Sequence, residues 1–262
     1  MLLREDGDAV IAIPQPSHSW LSGQLARAWG NDRFAPPSPF EEVCLAAEQH
    51  DIGWLTWEAE PGLDPQSGRP KTFMQVGPET HTQLWRDGVR RAGIYGRYAA
   101  LLVSLHADTI YGRFFRFDKA PPEEARLVRA FLDEQHAFQQ ATIASLRADP
   151  LTAPDVDEQA IDRNRLTIAA LDWISLHVCW GVKEDVRIPE VPVAGGERIE
   201  MRLRPGAVPE EIVVEPWPFR PERLAVRAEG RRLSGRYADD SSLRTALGRA
   251  EPVPIRASLR PA

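Results

Sequence analysis

Apolar residues recur at helical spacing through the first two thirds of the chain. The first such stretch begins near Ser17, carries its apolar positions as far as Trp29 and ends at Gly30. Apolar residues three and four positions apart share one face of a helix, so this spacing predicts an amphipathic helix. The same pattern predicts further helices over residues 41–52, 79–107, 121–147 and 157–180.

Two segments interrupt this helical pattern. Residues 54–78 are rich in Pro and Gly and are long for a connection, which is typical of a lid or of an irregular pocket wall. Within residues 79–107, Gly88, Gly93 and Gly96 each cost a helix interior about 1 kcal/mol relative to Ala. We therefore expect this helix to break near Gly93.

From Glu184 onward the pattern changes to short β-branched runs such as "VRIPEVPV" and "EIVVEPWPF", separated by Pro and Gly. Such runs predict a small antiparallel sheet. The expected fold is therefore mainly α, with a helical domain over residues 1–182 and a small β-rich region over residues 183–262. We interpret the β-rich region as a pocket wall or a dimerisation surface, so a homodimer is compatible with the sequence.

Composition narrows the range of partners. The chain has 32 basic and 38 acidic residues, a formal charge of −6, and its arginines are scattered. Binding to a nucleic acid duplex needs clustered cations, so a small-molecule substrate is the better expectation. No uncharged apolar run reaches the roughly 18 residues that span a bilayer, and no secretory signal is readable at the start. A cytoplasmic location is the default expectation.

The histidines are few and unevenly placed. Of the six, His18, His50, His81 and His106 lie near predicted helix ends, where side chains from different helices can converge. His50 is followed directly by Asp51, near the predicted end of the second helix. Imidazole and carboxylate groups are suitable ligands for Fe, Mn, Zn or Co, and a second ion would need a bridging carboxylate. The pattern predicts a site for one or two divalent transition metal ions.

The stretch "QHDIGW" at residues 49–54 resembles the His-Asp motif of the HD-domain superfamily of metal-dependent phosphohydrolases. The resemblance implies an HD-domain, phosphodiesterase-like helical bundle, with ligands in the order His, His-Asp, His, His, Asp. Over nearly its whole length the chain also resembles an uncharacterised bacterial family with the same "HDIGW" stretch, which implies a fold but no activity. The implied ligand set matches these positions in order: His18, His50, Asp51, His81, His106 and Asp172.

The resemblance implies a hydrolase acting on a phosphate ester through a mono- or binuclear centre. In the binuclear form His81 and His106 would hold a second ion, bridged to the first by Asp51. A straight helix would separate these two histidines by roughly 37 Å, so the binuclear form requires the break near Gly93. Lys71 and Arg113 are the cations expected to neutralise the phosphate by charge-assisted hydrogen bonds.

Several alternatives stay open on the sequence alone. The same ligands would serve a di-iron oxygenase, and a non-catalytic binding module could keep the fold and a metal. His50 could simply stabilise a helix C-terminus, and Asp172 could pair with Arg163 or Arg165 on its own helix. Mononuclear members of the superfamily lack the third and fourth histidines, and we interpret His136 and His177 as packing residues.

Overall fold

The computed structural model describes all 262 residues and contains eight α-helices. Short 3-10 helices cover Phe73–Gln75 and Ala153–Asp155. No helix combines the length and the apolar character that crossing a membrane requires. The helices are α1 (Gln15–Ala28), α2 (Phe40–Gln49), α3 (Trp54–Ala59), α4 (Pro78–Tyr95), α5 (Arg97–Phe114), α6 (Pro122–Arg147), α7 (Glu158–Trp180) and α8 (Asp240–Arg249).

Nine strands form one large sheet and one short hairpin. The large sheet has the order β1-β2-β8-β9-β7-β6-β5, and the hairpin joins β3 to β4. Neighbours in the large sheet are antiparallel except β7 and β9, which are parallel. The strands are β1 (Leu2–Asp6), β2 (Ala9–Ile13), β3 (Leu63–Asp64), β4 (Arg69–Pro70), β5 (Val186–Pro192), β6 (Arg198–Pro205), β7 (Glu211–Glu215), β8 (Leu224–Ser234) and β9 (Pro252–Pro261).

The sheet overturns the predicted fold class. The chain is 50% helical and 22% strand, and its seven-stranded mixed sheet curls into a half-barrel, so the fold is α/β. The expectation of a mainly α bundle with a small antiparallel β region is therefore wrong. The strands β1 and β2 escaped prediction because all five residues of Ala9–Ile13 are buried, which removes the alternation that marks a half-exposed strand. Gly7, with φ of +61°, makes the turn between them and was the missed signal.

Both ends of the chain contribute to this one sheet. β2 pairs with β8, and the main buried core includes Leu25 and Leu101 from helices as well as Ile188 and Val226 from strands. The helices α1 and α7 pack directly on the sheet. The shared core supports α1 and α7. The predicted domain boundary after residue 182 stays a prediction.

Most of the predicted helices are confirmed in place. α6 and α7 begin and end within about one residue of the expected positions, and Asp157 caps α7 by accepting a hydrogen bond from the backbone N–H of Ala160 (3.1 Å). The break expected within residues 79–107 lies at Gly96, between α4 and α5, and not at Gly93. Gly93 stays helical within α4, and an added Cβ there would make an ordinary van der Waals contact, 3.9 Å from that of Ala100 in α5.

Gly53 lies in the turn after α2, where its lack of a side chain permits a close approach. Its φ of −62° is ordinary, so it does not act as a helix stop through special backbone freedom. A Cβ on Gly53 would lie 2.0 Å from the carbonyl oxygen of Leu84, so only glycine lets α4 approach the turn after α2. This close approach brings α4 against the segment that carries His50 and Asp51.

Candidate metal centre

Five of the six predicted ligands converge on one buried point. His18 lies in the first turn of α1, His50 and Asp51 directly follow α2, His106 lies in α5 and Asp172 in α7. All five side chains are buried. Because four separate segments supply them, the sequence could suggest this grouping only by residue type and order.

The ligand atoms lie within a few ångströms of one another. His18 Nε2 is 2.8 Å from Asp51 Oδ2, and His50 Nε2 is 3.4 Å from Asp172 Oδ1. His106 Nε2 is 3.5 Å from Asp172 Oδ2. Asp172 thus faces two imidazoles and makes no ion pair with the arginines of its own helix; Arg165 pairs with Asp162 instead (2.6 Å).

The hydrogen bonds of His50 define which of its nitrogens is free. Its Nδ1 lies 2.8 Å from the carbonyl oxygen of Ala47, which can only accept, so Nδ1 carries a proton. In the neutral ring Nε2 is therefore a bare lone pair. Nε2 is fully buried and has no hydrogen-bond partner. Several buried polar atoms of the protein lack a partner, and this one is distinguished by the carboxylates of Asp51 and Asp172 beside it, where a bound cation would satisfy it.

His18 is oriented in the same way by a serine. Ser175 Oγ donates its hydrogen to the backbone oxygen of Asp172 (2.8 Å), so it accepts from His18 Nδ1 at 2.8 Å. The Nε2 lone pair of a neutral His18 then faces a carboxylate oxygen of Asp51 at 2.8 Å. Two acceptors at this separation repel each other unless a cation, either a proton or a metal ion, lies with them.

The electrostatics of the cluster favour bound positive charge. Burial by itself would lower the pKa of His50, but the charges of Asp51 and Asp172 outweigh it and raise that pKa to about 9. Burial would raise the pKa of Asp172, yet the adjacent imidazoles of His106 and His50 hold it well below its usual range. Asp51 behaves likewise, beside His50 and His18. Two buried carboxylates thus stay ionised and require a cation.

The donor set fits a single ion. An ion with bonds of about 2.1 Å keeps its ligands about 3 Å apart at right angles and about 4.2 Å apart across the centre. His18, His50 and Asp51 offer atoms within 4.8 Å of one another, and so do His50, His106 and Asp172. Both groups share His50, whose free nitrogen Nε2 can bind only one ion, so the two groups belong to one centre. Three nitrogens and two carboxylates suit Fe, Mn, Zn or Co.

The sixth predicted ligand, His81, lies apart from these two groups. Its Nδ1 forms a 2.8 Å hydrogen bond with the hydroxyl of Tyr111, and its ring packs between Trp54 and Trp85. Burial lowers its pKa, so the ring is neutral near pH 7. Even with the helix broken at Gly96, the structure does not bring His81 into a second set of ligands beside His106.

The two predicted phosphate-binding cations also lie away from the centre. Lys71 is exposed, and only its backbone N–H makes a hydrogen bond, to Gly62. Arg113 pairs with Glu190 at 3.1 Å. Neither residue lines the pocket that opens onto the metal cluster. Lys71 occupies the segment expected to cover the site, but Phe73, Met74 and Val76 supply that wall instead.

The pocket above the cluster has a volume of about 460 Å³, within the range of small-molecule sites. His18, Asp51, His106 and Asp172 line it and are called here its floor, and His81 and His177 line it as well. The arrangement can hold an ion at the end of a pocket whose other lining residues are mostly apolar.

Sequence reasoning missed the residues that orient the ligands. Ser22 donates to Ser175 at 2.9 Å, and Ser175 in turn accepts from His18. The available signal was spacing, since Ser22 lies four residues after His18 and Ser175 three after Asp172, which puts each pair on one helix face. Gln15, three residues before His18, carried the same signal, whereas Tyr111, which also lines the pocket, did not.

Comparison with known proteins yields a family and no activity. No curated protein and no solved structure matches the chain. These comparisons do not test the resemblance to the HD superfamily, which stays a prediction. A family model described as "Protein of unknown function (DUF3891)" matches residues 1–235, which is most of the chain. The protein therefore belongs to the DUF3891 family.

Proposed function

We propose that this protein is a metal-dependent hydrolase of a small molecule, with an HD-like centre built from His18, His50, Asp51, His106 and Asp172. The observation that carries the proposal is the buried, unpartnered Nε2 of His50, which points into a set of ionised carboxylates at the end of a pocket. The chain order His, His-Asp, Asp supports the likeness to the HD superfamily.

When bound, a divalent ion at such a site lowers the pKa of a water molecule toward neutrality and polarises the bond to be cleaved. The protein's own contribution is to orient the ligands. Ala47 and Ser175 each hold one imidazole in the tautomer that leaves Nε2 free. Partners of this kind commonly change metal affinity by 10- to 100-fold when they are removed.

His81 is well suited to carry a proton in this reaction. It is neutral near pH 7, lines the same pocket as Asp51 and is oriented by the hydroxyl of Tyr111. Hydrolysis adds a hydroxyl group to one side of the cleaved bond and a proton to the leaving group on the other. His81 would exchange that proton, and the apolar walls would exclude bulk water from the floor.

A hydrolase with one ion is better supported than the di-iron oxygenase. Two irons need a second set of ligands. His81, the residue expected to supply it with His106, belongs to neither ligand group and is hydrogen-bonded to Tyr111. A phosphate ester, the substrate class implied by the HD resemblance, would need cations near the floor. Lys71 and Arg113 do not line the pocket, so nothing there supports a phosphorylated substrate.

The test compares two histidine variants, His106→Ala and His81→Ala, with the wild type. Elemental analysis of protein purified without chelators should find about one transition metal ion per chain in the wild type and in His81→Ala. His106→Ala should lose the ion. Turnover of ester substrates should fall in both variants, in His81→Ala without loss of metal.

Two results would contradict the proposal. About two ions per chain, with one lost in His81→Ala, would restore the binuclear centre and the oxygenase. A wild type that binds no ion after reconstitution, or binds one without hydrolysing any ester, would favour a non-catalytic binding module.

A further inference from the structure

The walls of the pocket are dominated by aromatic side chains. Four tryptophans and three phenylalanines line it, and several of them stack on one another. Phe114 and Trp173 are nearly parallel, with ring centroids 5.5 Å apart, and Phe73 stacks on Trp180 at 6.3 Å. Flat aromatic walls favour flat apolar ligands because such ligands bury large areas and stack.

Positive charge is missing from the same lining. No Lys or Arg side chain contributes to it. Burial lowers the pKa of both His81 and His177, so these rings are neutral near pH 7. The charged groups in the lining are the carboxylates of Asp51 and Asp172, and one divalent ion would only balance them. An anionic ligand would lose its hydration without gaining a cation in return.

Three buried polar atoms of the lining outside the metal cluster have no hydrogen-bond partner: Gln15 Oε1 and the indole nitrogens of Trp85 and Trp173, which can only donate. Gln15 lines the pocket, and its side-chain oxygen Oε1 is buried without a hydrogen bond. An amide oxygen can only accept, so it would pair with an O–H or N–H group of a ligand. At the rim, Met74 and Phe114 line the pocket and are still 69% and 51% exposed, which gives an apolar entrance.

We propose that the substrate is an uncharged small molecule with a flat, apolar body, a hydrogen-bond donor for Gln15 and a hydrogen-bond acceptor for the indole N–H groups, bound between the aromatic walls with its cleavable bond at the floor. This inference rests on the proposed hydrolase function for the reaction, whereas the binding preference rests on the pocket alone. It excludes nucleotides and other phosphorylated compounds as preferred ligands.

The test uses two probes with the same ring system, neutral 2-naphthol and anionic 2-naphthyl phosphate. Isothermal titration calorimetry on the full chain, metal-loaded and chelated, measures both affinities. We expect 2-naphthol to bind at least about tenfold more tightly in both states, because the phosphate must shed its hydration among apolar walls. Equal or tighter binding of the phosphate would overturn the inference.

Variants locate the binding. Trp173→Ala should lower the affinity for 2-naphthol by about tenfold or more, because it removes one stacking wall. Trp217→Ala, at a half-buried tryptophan outside the pocket, is the matched control and should leave the affinity unchanged. Phe114→Lys should selectively raise the affinity for 2-naphthyl phosphate. The control Leu151→Lys, at an exposed apolar residue outside the pocket, should leave that affinity unchanged. Equal effects of pocket and control variants would contradict a ligand site here.

Hydrolysis assays with 2-naphthyl acetate and 2-naphthyl phosphate separate this inference from the proposed function. Binding of 2-naphthol without hydrolysis of either ester would leave the substrate class standing and remove the hydrolase. Metal-dependent hydrolysis of the phosphate, without binding of 2-naphthol, would keep the hydrolase and overturn the substrate class.

Discussion

Two buried polar regions of the molecule differ in whether their donors and acceptors all find partners within the protein. In the first, called here the Asn164 network, Asn164 donates its two amide hydrogens to the carbonyl oxygen of Ser38 (2.7 Å) and the hydroxyl of Tyr98 (2.9 Å). Tyr98 then donates to the carbonyl of Asp155 at 3.1 Å. Every donor named has an acceptor, and the network joins α5 and α7 to the segment before α2.

In the metal cluster, by contrast, the polar atoms do not all find partners. Its members are His18, His50, Asp51, His106 and Asp172. Unless a proton or a metal ion lies between them, the Nε2 atoms of His18 and His50 are acceptors that face carboxylate acceptors, and His50 Nε2 forms no hydrogen bond within the cluster. Leaving a buried polar group unpaired costs about 1–3 kcal/mol. The Asn164 network therefore stabilises the fold without a ligand, whereas the metal cluster needs a cation to satisfy its acceptors.

The largest expected effect is loss of metal from His50→Ala. Because His50 belongs to both ligand groups, its removal should lower metal affinity more than the roughly 100-fold upper figure for orienting partners. Competition with a fluorescent chelator measures this affinity. Asn164→Ala is the control and should bind metal like the wild type; a matching loss there would erase the distinction between the two regions.

The next effect concerns pH in the chelated protein. The folded-state pKa of His50 is raised from 6.5 to about 9, so its proton stabilises the fold fully below pH 6.5, and this contribution is lost as pH rises through 9. The loss should approach about 3 kcal/mol in the free energy of unfolding. Urea unfolding from about pH 6 to about pH 9.5 measures it.

Added metal should remove most of this pH dependence, because the ion takes the place of the proton on His50. The Asn164 network should not contribute, since burial raises the pKa of Tyr98 to about 12, beyond the range studied. Stability of the chelated protein that stays constant or rises over this interval would show that His50 is not the protonated centre of the cluster.

A smaller effect is expected from Asn164→Ala on stability. It removes two hydrogen bonds and leaves the Ser38 carbonyl without its Asn164 donor, which should lower the free energy of unfolding by about 2 kcal/mol. Urea unfolding of the metal-loaded protein gives the value. A change below a few tenths of a kcal/mol would mean that water replaces the lost bonds and that the network does not stabilise the fold.

The smallest effect sharpens the comparison inside the metal cluster. Ser175→Ala removes the acceptor for His18 Nδ1, and metal affinity should fall by about tenfold while the fold is kept. Ser175→Thr, which keeps a hydroxyl, should restore most of the affinity. An unchanged affinity in Ser175→Ala would show that His18 is oriented by its packing alone.

Part of the fold could be read from the chain because it depends on local pattern. α6 and α7 matched their apolar spacing and their N-terminal signals, such as Asp157. The β-branched runs after Glu184 indicated the C-terminal strands, but the whole sheet could not be read in this way, because β2 is buried on both sides and pairs with β8 more than 200 residues later. Sheet pairing between distant segments leaves no periodic trace in either segment.

The sequence by itself determined the kinds of ligand and their order, since imidazole and carboxylate chemistry does not depend on the fold. Only the tertiary structure decided which ligands meet. It joined His106 to the cluster, turned His81 toward Tyr111 and left Lys71 and Arg113 outside the pocket. Each outcome follows from how four separate segments pack, because distances between side chains on different helices are set by the core between them.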